Sequence, residues 1–299
     1  MWHIRSCRRG MMETLLMQSA LNGVTLALFY MLIGVGLALL YGMANILYSA
    51  HGDTYMLGAV LSYYLVAKAK IPWILAIPIV VVAFGLLGPV IERVFFRRVR
   101  DIGTSSLVVG LGLMFLIEGT TYSFYGLRAH AVPSGLLGSI SILGASLTYE
   151  RLVLIAGCVL LLVVLQFFLI RTKYGMAMRA SVQSKIGAFL QGISDNNVAA
   201  LAFAIGTALA GAAGALVAPL YNVTVGMGMQ ATIWGWLILG VGGLGSITGC
   251  IIASFIFGFL QSFIATFIGP VVAQVVLFAA ITVFLAIRPQ GLMGESRGF

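Results

Sequence analysis

Apolar residues run through this chain in long continuous blocks, separated by short polar breaks, with no alternation of apolar and polar positions. The blocks fall at roughly 15–40, 43–66, 72–92, 104–124, 152–170, 198–219, 231–248, 250–268 and 270–288. A ~30 Å hydrocarbon core takes about 20 helical residues to cross, so each block predicts a membrane-spanning helix. Barrel strands are excluded, because they read as alternating segments of ~10 residues. The predicted fold is an all-α polytopic membrane protein of about eight or nine transmembrane or re-entrant helices, forming a single transmembrane domain over residues 1–299.

Composition agrees: 61% of the 299 residues are hydrophobic and 8% charged, against about a quarter charged in a soluble domain. The net charge of +9 sits at the ends of the blocks, away from any polar face with interleaved aromatics; this argues for orientation and against nucleic-acid binding. Two basic connections, one with Arg93, Arg97, Arg98 and Arg100 and one with Arg171, Lys173, Arg179 and Lys185, are cytoplasmic under the positive-inside rule, as is the C-terminus with Arg288 and Arg297. The stretch between the fourth and fifth blocks, with only Arg128 and Arg151, lies outside. Three full crossings before Arg93 place Arg5, Arg8 and Arg9 outside. The expected remedy is a broken or re-entrant second block. The first block is too long for a signal peptide and is read as retained; since "METLLMQSALNG" from Met12 makes a complete start, the residues before it are read as an extension. Cys7, Cys158 and Cys250 share no metal-ligand or redox spacing.

The second block contains "NILYSAHGDTYMLGA", residues 45–59. An aspartate in mid-membrane costs at least ~2.5 kcal/mol on insertion scales and ordinarily faces a cavity, a partner or a transport path. Asn45, His51, Asp53 and Tyr55 are the candidate pathway or gate residues. His51 and Asp53 point apart on a regular helix and pair only if it is interrupted between them, which Gly52 permits. A second reading keeps His51 and Asp53 as partners for backbone groups freed by a bend. A third, a proton relay, has only Glu118 as a further acid near the bilayer.

Glycine, 37 residues in all, clusters in "GVGLALLYG", "GLGLMFLIEG", "AGAAGALVAP" and "GVGGLGSITG". Close helix packing accounts for most of it, with Gly245 and Gly249 as a GxxxG pair. The last run is denser than packing requires and predicts a helix break at Gly242, Gly243, Gly245 and Gly249. No Walker A sequence occurs. The longest cytoplasmic connection, 171–197, carries Met178, Val182, Ile186, Phe189 and Leu190 at near-helical spacing. It predicts one short amphipathic helix, lying on lipid or docking a cytoplasmic partner.

Four segments in order resemble permease subunits of ABC importers for branched-chain amino acids: "LNGVTLALFYMLIGVGLALLYGMANILYSAHGDTYMLGAVLSYY", "RTKYGMAMRASVQSKIGAFLQGIS", "WLILGVGGLGSITGCIIASFIFGFLQSF" and "RPQGLMG". The resemblance runs from about Met12 to Gly294. It implies a non-catalytic permease of the bacterial inner membrane, paired with a second permease subunit, two cytoplasmic ATPase subunits and an extracytoplasmic binding protein. No cofactor is bound by the chain itself, ATP being used by the partner ATPase. The cytoplasmic connection matches the coupling-helix region, which makes Gly175, Arg179, Ala180, Gly187 and Gly192 the candidate ATPase contacts. The acid after "AHG" is usually glutamate in this family, where this chain has Asp53. The implied mechanism is alternating access, with this chain supplying half of the pathway for branched-chain or related amino acids. Urea, short amides or other small carboxylates are the alternative substrates. The rival class is an ion-coupled secondary transporter, whose mark is an internal repeat with paired broken helices. No such repeat is readable in the sequence.

Overall fold

The computed structural model describes residues 2–100, 105–142 and 144–294, with side chains of the first helix described from Met12 onward. The side chains of Arg5, Cys7, Arg8 and Arg9 and the whole of Arg297 lie outside the described residues. Helix α1 (Trp2–Ala44) is followed by α2 (His51–Tyr63), α3 (Trp73–Ile91), α4 (Ser105–Tyr125), a hairpin of β1 (Ser139–Ile142) and β2 (Ala145–Thr148), and α5 (Tyr149–Arg171). Two short helices, α6 (Lys173–Gln183) and α7 (Lys185–Leu190), precede α8 (Asp195–Val217), α9 (Met227–Gly242), α10 (Ile247–Phe267) and α11 (Pro270–Ile287). A π-helical turn extends α2 to Lys68, and another extends α3 to Phe96. Among the described residues, seven helices are long and apolar enough to cross a membrane. The other two crossings are made by α2 and α9 with their flanking loops. At 13 and 16 residues these helices span only about 20 and 24 Å at 1.5 Å per residue.

Two ends of the bundle are identified by their ties. At one, Arg100 bridges from beyond α3 to Asp195 (3.0 Å) at the start of α8, and the C-terminal Leu292 and Met293 amides bond to Val241 and Gly242 at the end of α9. This end carries the basic connections and is cytoplasmic. At the other, Gln18 of α1 exchanges hydrogen bonds with Ser146 of β2, His130 bridges Val223, and the His130 ring lies 4.8 Å from both Tyr63 and Tyr125. Helix α1 therefore begins outside and descends, and nine crossings return the C-terminus to the cytoplasm. This corrects the expected parity remedy: no early block is re-entrant. The second block crosses as a broken span, and the basic start lies at the outer end.

The described helices fall into two sets of four running in opposite senses, α1–α4 and α8–α11, with α5 between them. Helix α1 packs along α10 as α8 packs along α3, and α1 meets α8 and α2 meets α9 at the centre. Each set begins with a long helix, an irregular stretch (45–50 or 218–226) and a short helix. The inverted repeat that the sequence does not reveal is thus present, and it cannot separate a stand-alone transporter from an ATP-driven permease. In the most apolar stretch of each helix, α1 is 83% and α8 72% buried, against 17% for α11. Those two are the core, and Val82, Leu86, Phe115, Phe167 and Val275 of the outer helices are exposed on the surface of the bundle.

The predicted helix break between the seventh and eighth blocks lies at residues 243–246. Gly243 (φ +105°) and Gly245 (φ +82°) take left-handed conformations that a side chain disfavours. Gly245 sits in this turn, so it does not form a GxxxG pair with Gly249; Gly249 instead packs on Gly242, whose oxygen would lie 1.8 Å from an added Cβ. The amphipathic cytoplasmic helix is likewise two helices. The Ser184 hydroxyl accepts the Gly187 N–H at 3.0 Å, capping α7 and ending α6. Met178 consequently turns into the core, fully buried. The β-hairpin has no counterpart in the sequence reading.

Glu92, fully buried after α3, receives Arg97 at 2.8 Å and Arg100 at 3.8 Å. Glu92→Gln is expected to cost about 2 kcal/mol, below the usual ~3–5 for halving a buried ion pair, since Arg97 is partly solvated and Arg100 keeps Asp195. Thermal unfolding in detergent should fall by several degrees, and an unchanged midpoint would refute the role given to this cluster.

Candidate functional site

The break between α1 and α2 follows from its residues. Asn45 stops α1 in a left-handed conformation (φ +55°), its amide still bonding Tyr41 O at 2.9 Å, a common use of Asn at a helix C-terminus. Asn45 is exposed and acts as a terminator, at a distance from any cavity wall. Some of the polar groups in and beside the broken stretch are met from other elements. Thr232 of α9 donates to Ser49 O (3.2 Å) and accepts the Gly52 N–H (3.1 Å), and the Tyr48 hydroxyl meets Thr54 Oγ1 at 3.0 Å.

Helix α2 therefore starts at mid-depth, and its first turn holds His51, Gly52 and Asp53 together. The helix is not interrupted at Gly52. His51 and Asp53 do not pair. The His51 ring packs over Gly36 of α1, edge-on to Tyr48, and neither ring nitrogen has a hydrogen-bond partner among the described residues. Asp53 is 1% exposed, and neither carboxylate oxygen has a hydrogen-bond partner among the described residues. Oδ1 lies against Gly228 in the first turn of α9, 2.4 Å from where a Cβ would stand. The N-termini of the two short helices thus meet at Asp53. Their partial positive charge is the compensation visible around the carboxylate. No hydrogen bond links it to Glu118 of α4.

Immediately outward of this junction lies a chamber of about 310 Å³, lined by α1, α2, α9, α10 and the 218–226 stretch. Phe29, Tyr30, Tyr55 and Trp234 give it an aromatic wall, and Gln230 and Gln261 contribute amides. The Tyr30 hydroxyl bonds Gln261 Oε1. Of the four pathway candidates, only Tyr55 reaches this wall; His51 and Asp53 lie behind it. The chamber residues of α1, α9 and α10 went unrecognised in the sequence because each sits in a different apolar block.

The five candidates in the cytoplasmic loop separate. Gly175 is buried, and an added Cβ would lie 2.2 Å from Phe168 O, so it permits the tight α5–α6 turn. Gly192 (φ +78°) closes α7, with its own N–H on Phe189 O and that of Ile193 on Ala188 O. Gly187 carries the cap described above, Ala180 is half-buried, and Arg179 is exposed, with a guanidinium N–H 3.4 Å from Ile170 O. The prominent surface is formed by Ile186, Phe189 and Leu190, each about three-quarters exposed on α7.

A family profile described as the permease component of branched-chain amino acid transport systems matches residues 19–286. The high-affinity branched-chain amino acid transport system permease protein LivH of Salmonella typhimurium is 30% identical over 300 aligned positions, covering 93% of this chain and 96% of that protein, and LivH of Escherichia coli K12 matches equally. BraD of Pseudomonas aeruginosa, with the same description, is 28% identical over the same shares. No solved structure matches the chain. With a profile spanning nearly all of its crossings, a bundle of apolar helices and a chamber between two broken ones, this chain belongs to the family of permease components of branched-chain amino acid transport systems.

Proposed function

We propose that the chain is the permease subunit of an ATP-driven importer and carries branched-chain or closely related amino acids through the chamber between its broken helices. As a permease it performs no covalent chemistry. It works with an ATPase and an extracytoplasmic binding protein; two copies of the ATPase and a second, homologous permease complete the assembly we envisage, with ATP bound by the ATPase. The chamber supports an aliphatic substrate: its volume lies at the lower end for small-molecule sites, and its aromatic wall suits a branched side chain.

The observation that carries the ATP-driven reading is α7. Ile186, Phe189 and Leu190 stand out on the cytoplasmic side, and no described residue packs over them. Exposed apolar side chains clustered on one short helix mark an interface. Docked in a cleft of an ATPase subunit, α7 would be pushed when the ATPase dimer closes. The rigid α5–α6 turn at Gly175 and the Arg100–Asp195 tie would pass that push to α5, α3 and α8. The chamber would then reorient about the Asp53 junction.

Phe189→Asp together with Ile186→Asp should lower co-purification of the ATPase about tenfold, the scale of losing two buried apolar anchors offset by their partner's adaptability. The thermal midpoint of the permease itself should not move, because neither side chain packs within it. ATPase retained at wild-type level in this variant would refute the docking role.

A further inference from the structure

Beside the aromatic chamber lies a second, smaller cavity of about 190 Å³, and the two share Leu26 and Tyr221. Its walls are Asn22 and Thr25 of α1, Ser262 of α10 and Arg151 of α5. Among the described residues Arg151 is the one charged side chain lining either cavity. It is half-buried and donates from one guanidinium nitrogen to Asn22 Oδ1. No carboxylate pairs with it among the described residues, and its neighbour Glu150 accepts from the Ser134 hydroxyl instead.

Two features give this placement meaning. Arg151 stands in the first turn of α5, where a cation adds to the helix's own positive end instead of offsetting it. The guanidinium also retains most of its five N–H donors, arranged as a planar fork that matches a carboxylate. A free α-amino acid entering the aromatic chamber side chain first would trail its carboxylate toward the wall shared with Arg151.

We infer that Arg151 binds the α-carboxylate of the transported amino acid at the outer mouth, with the small polar cavity as the carboxylate subsite and the aromatic chamber as the side-chain subsite. This rests on the amino-acid reading above and adds a specificity element within the permease itself. Substrates without an anionic group are selected against, because the guanidinium would be left desolvated beside a neutral ligand. A phospholipid phosphate offers the same anionic chemistry at this depth, so the test separates the two.

The full chain in phosphatidylcholine nanodiscs is titrated with leucine and with leucinamide, which lacks the carboxylate, following the fluorescence of the chamber tryptophan Trp234. Leucine is expected to bind about tenfold tighter, the scale of one charge-assisted contact. In Arg151→Gln that preference should collapse toward one through loss of leucine affinity alone, and Arg151→Lys should keep part of it. Thr25→Glu supplies a competing carboxylate with Arg151 intact, and should also abolish the preference, so a folding defect in one variant does not leave the matter open. A preference unchanged in Arg151→Gln and Thr25→Glu overturns the subsite, as does absence of leucine binding to the wild type at millimolar concentration. A variant that merely sheds co-purified phosphatidylglycerol, counted by mass spectrometry, with its leucine preference intact, assigns Arg151 to lipid and also overturns it. Tritiated-leucine uptake by cells carrying the whole importer reads the amino-acid assignment separately: uptake with an unchanged preference removes the Arg151 subsite alone, whereas its absence removes the reading on which the subsite rests.

Discussion

Gly52→Ala should leave no folded permease. A Cβ at this position would lie 2.1 Å from Gly228 O, 2.3 Å from Thr232 Oγ1 and 2.5 Å from Thr232 N. Two of those three atoms belong to the backbone of α9, which cannot rotate away as a flexible side chain would. Relief requires the first turn of α2 to withdraw from α9, breaking the Gly52 N–H bond to Thr232 and exposing the unpaired groups of residues 45–50 at mid-depth. Overpacking alone costs ~1–3 kcal/mol, and each backbone group orphaned away from water adds about 1–3 more, so the sum approaches the ~5–15 kcal/mol that stabilises a typical protein. Membrane-inserted yield and monodispersity in detergent report the outcome. For comparison, Gly112→Ala on α4 meets nothing within 4 Å and should express at wild-type level. A monodisperse Gly52→Ala protein unfolding near the wild-type temperature would refute the close backbone contact between the two short helices.

That contact also marks where sequence reading stopped. The crossings were legible because a ~30 Å apolar solvent imposes its own length on each helix, and the predicted blocks overlap nine observed crossings. The first break was legible because Asn45 and Gly52 stand out locally: Asn45 ends α1, and His51, Gly52 and Asp53 all belong to the next helix. The second break, at 218–226, was not recognised. Its residues "APLYNVTVG" are polar enough to mark it, but the neighbouring blocks are long enough to be read as one crossing each. The inverted repeat was invisible because the two sets share helix order and packing without shared residues. What joins Asp53 to Gly228, or Tyr30 to Gln261, is contact across the bundle. No local periodicity records such contacts. In the cytoplasmic loop the apolar spacing was visible, but which residues faced outward depended on the Ser184 cap, so Met178 and Phe189 took opposite fates.

Asp53→Asn should stabilise the protein and disable it. The carboxylate is buried at mid-depth without a hydrogen-bond partner among the described residues, and charges so placed are costly unless compensated. Two helix N-termini supply compensation of ~0.3–1 kcal/mol each in ordinary settings, up to about 2 when partly buried, less than the several kcal/mol that burying an ion costs. Asparagine has the same shape, so it clears Gly228 and removes the charge; the thermal midpoint should rise by a few degrees. A charge that destabilises the fold at this depth points to a role beyond packing. The function available to Asp53 follows from its place, one layer behind the aromatic chamber at the junction of the two short helices. When α9 moves off α2, the Asp53 carboxylate becomes the nearest charge to the chamber floor, where it can receive the ammonium of an amino acid that has left the outer mouth and moved inward. Uptake by Asp53→Asn cells should therefore fall about a hundredfold, and Asp53→Glu, which keeps the charge, should retain considerably more. If instead the midpoint of Asp53→Asn drops and uptake falls only in proportion to folded protein, Asp53 serves the helix ends alone, and the bend that it caps is its whole purpose.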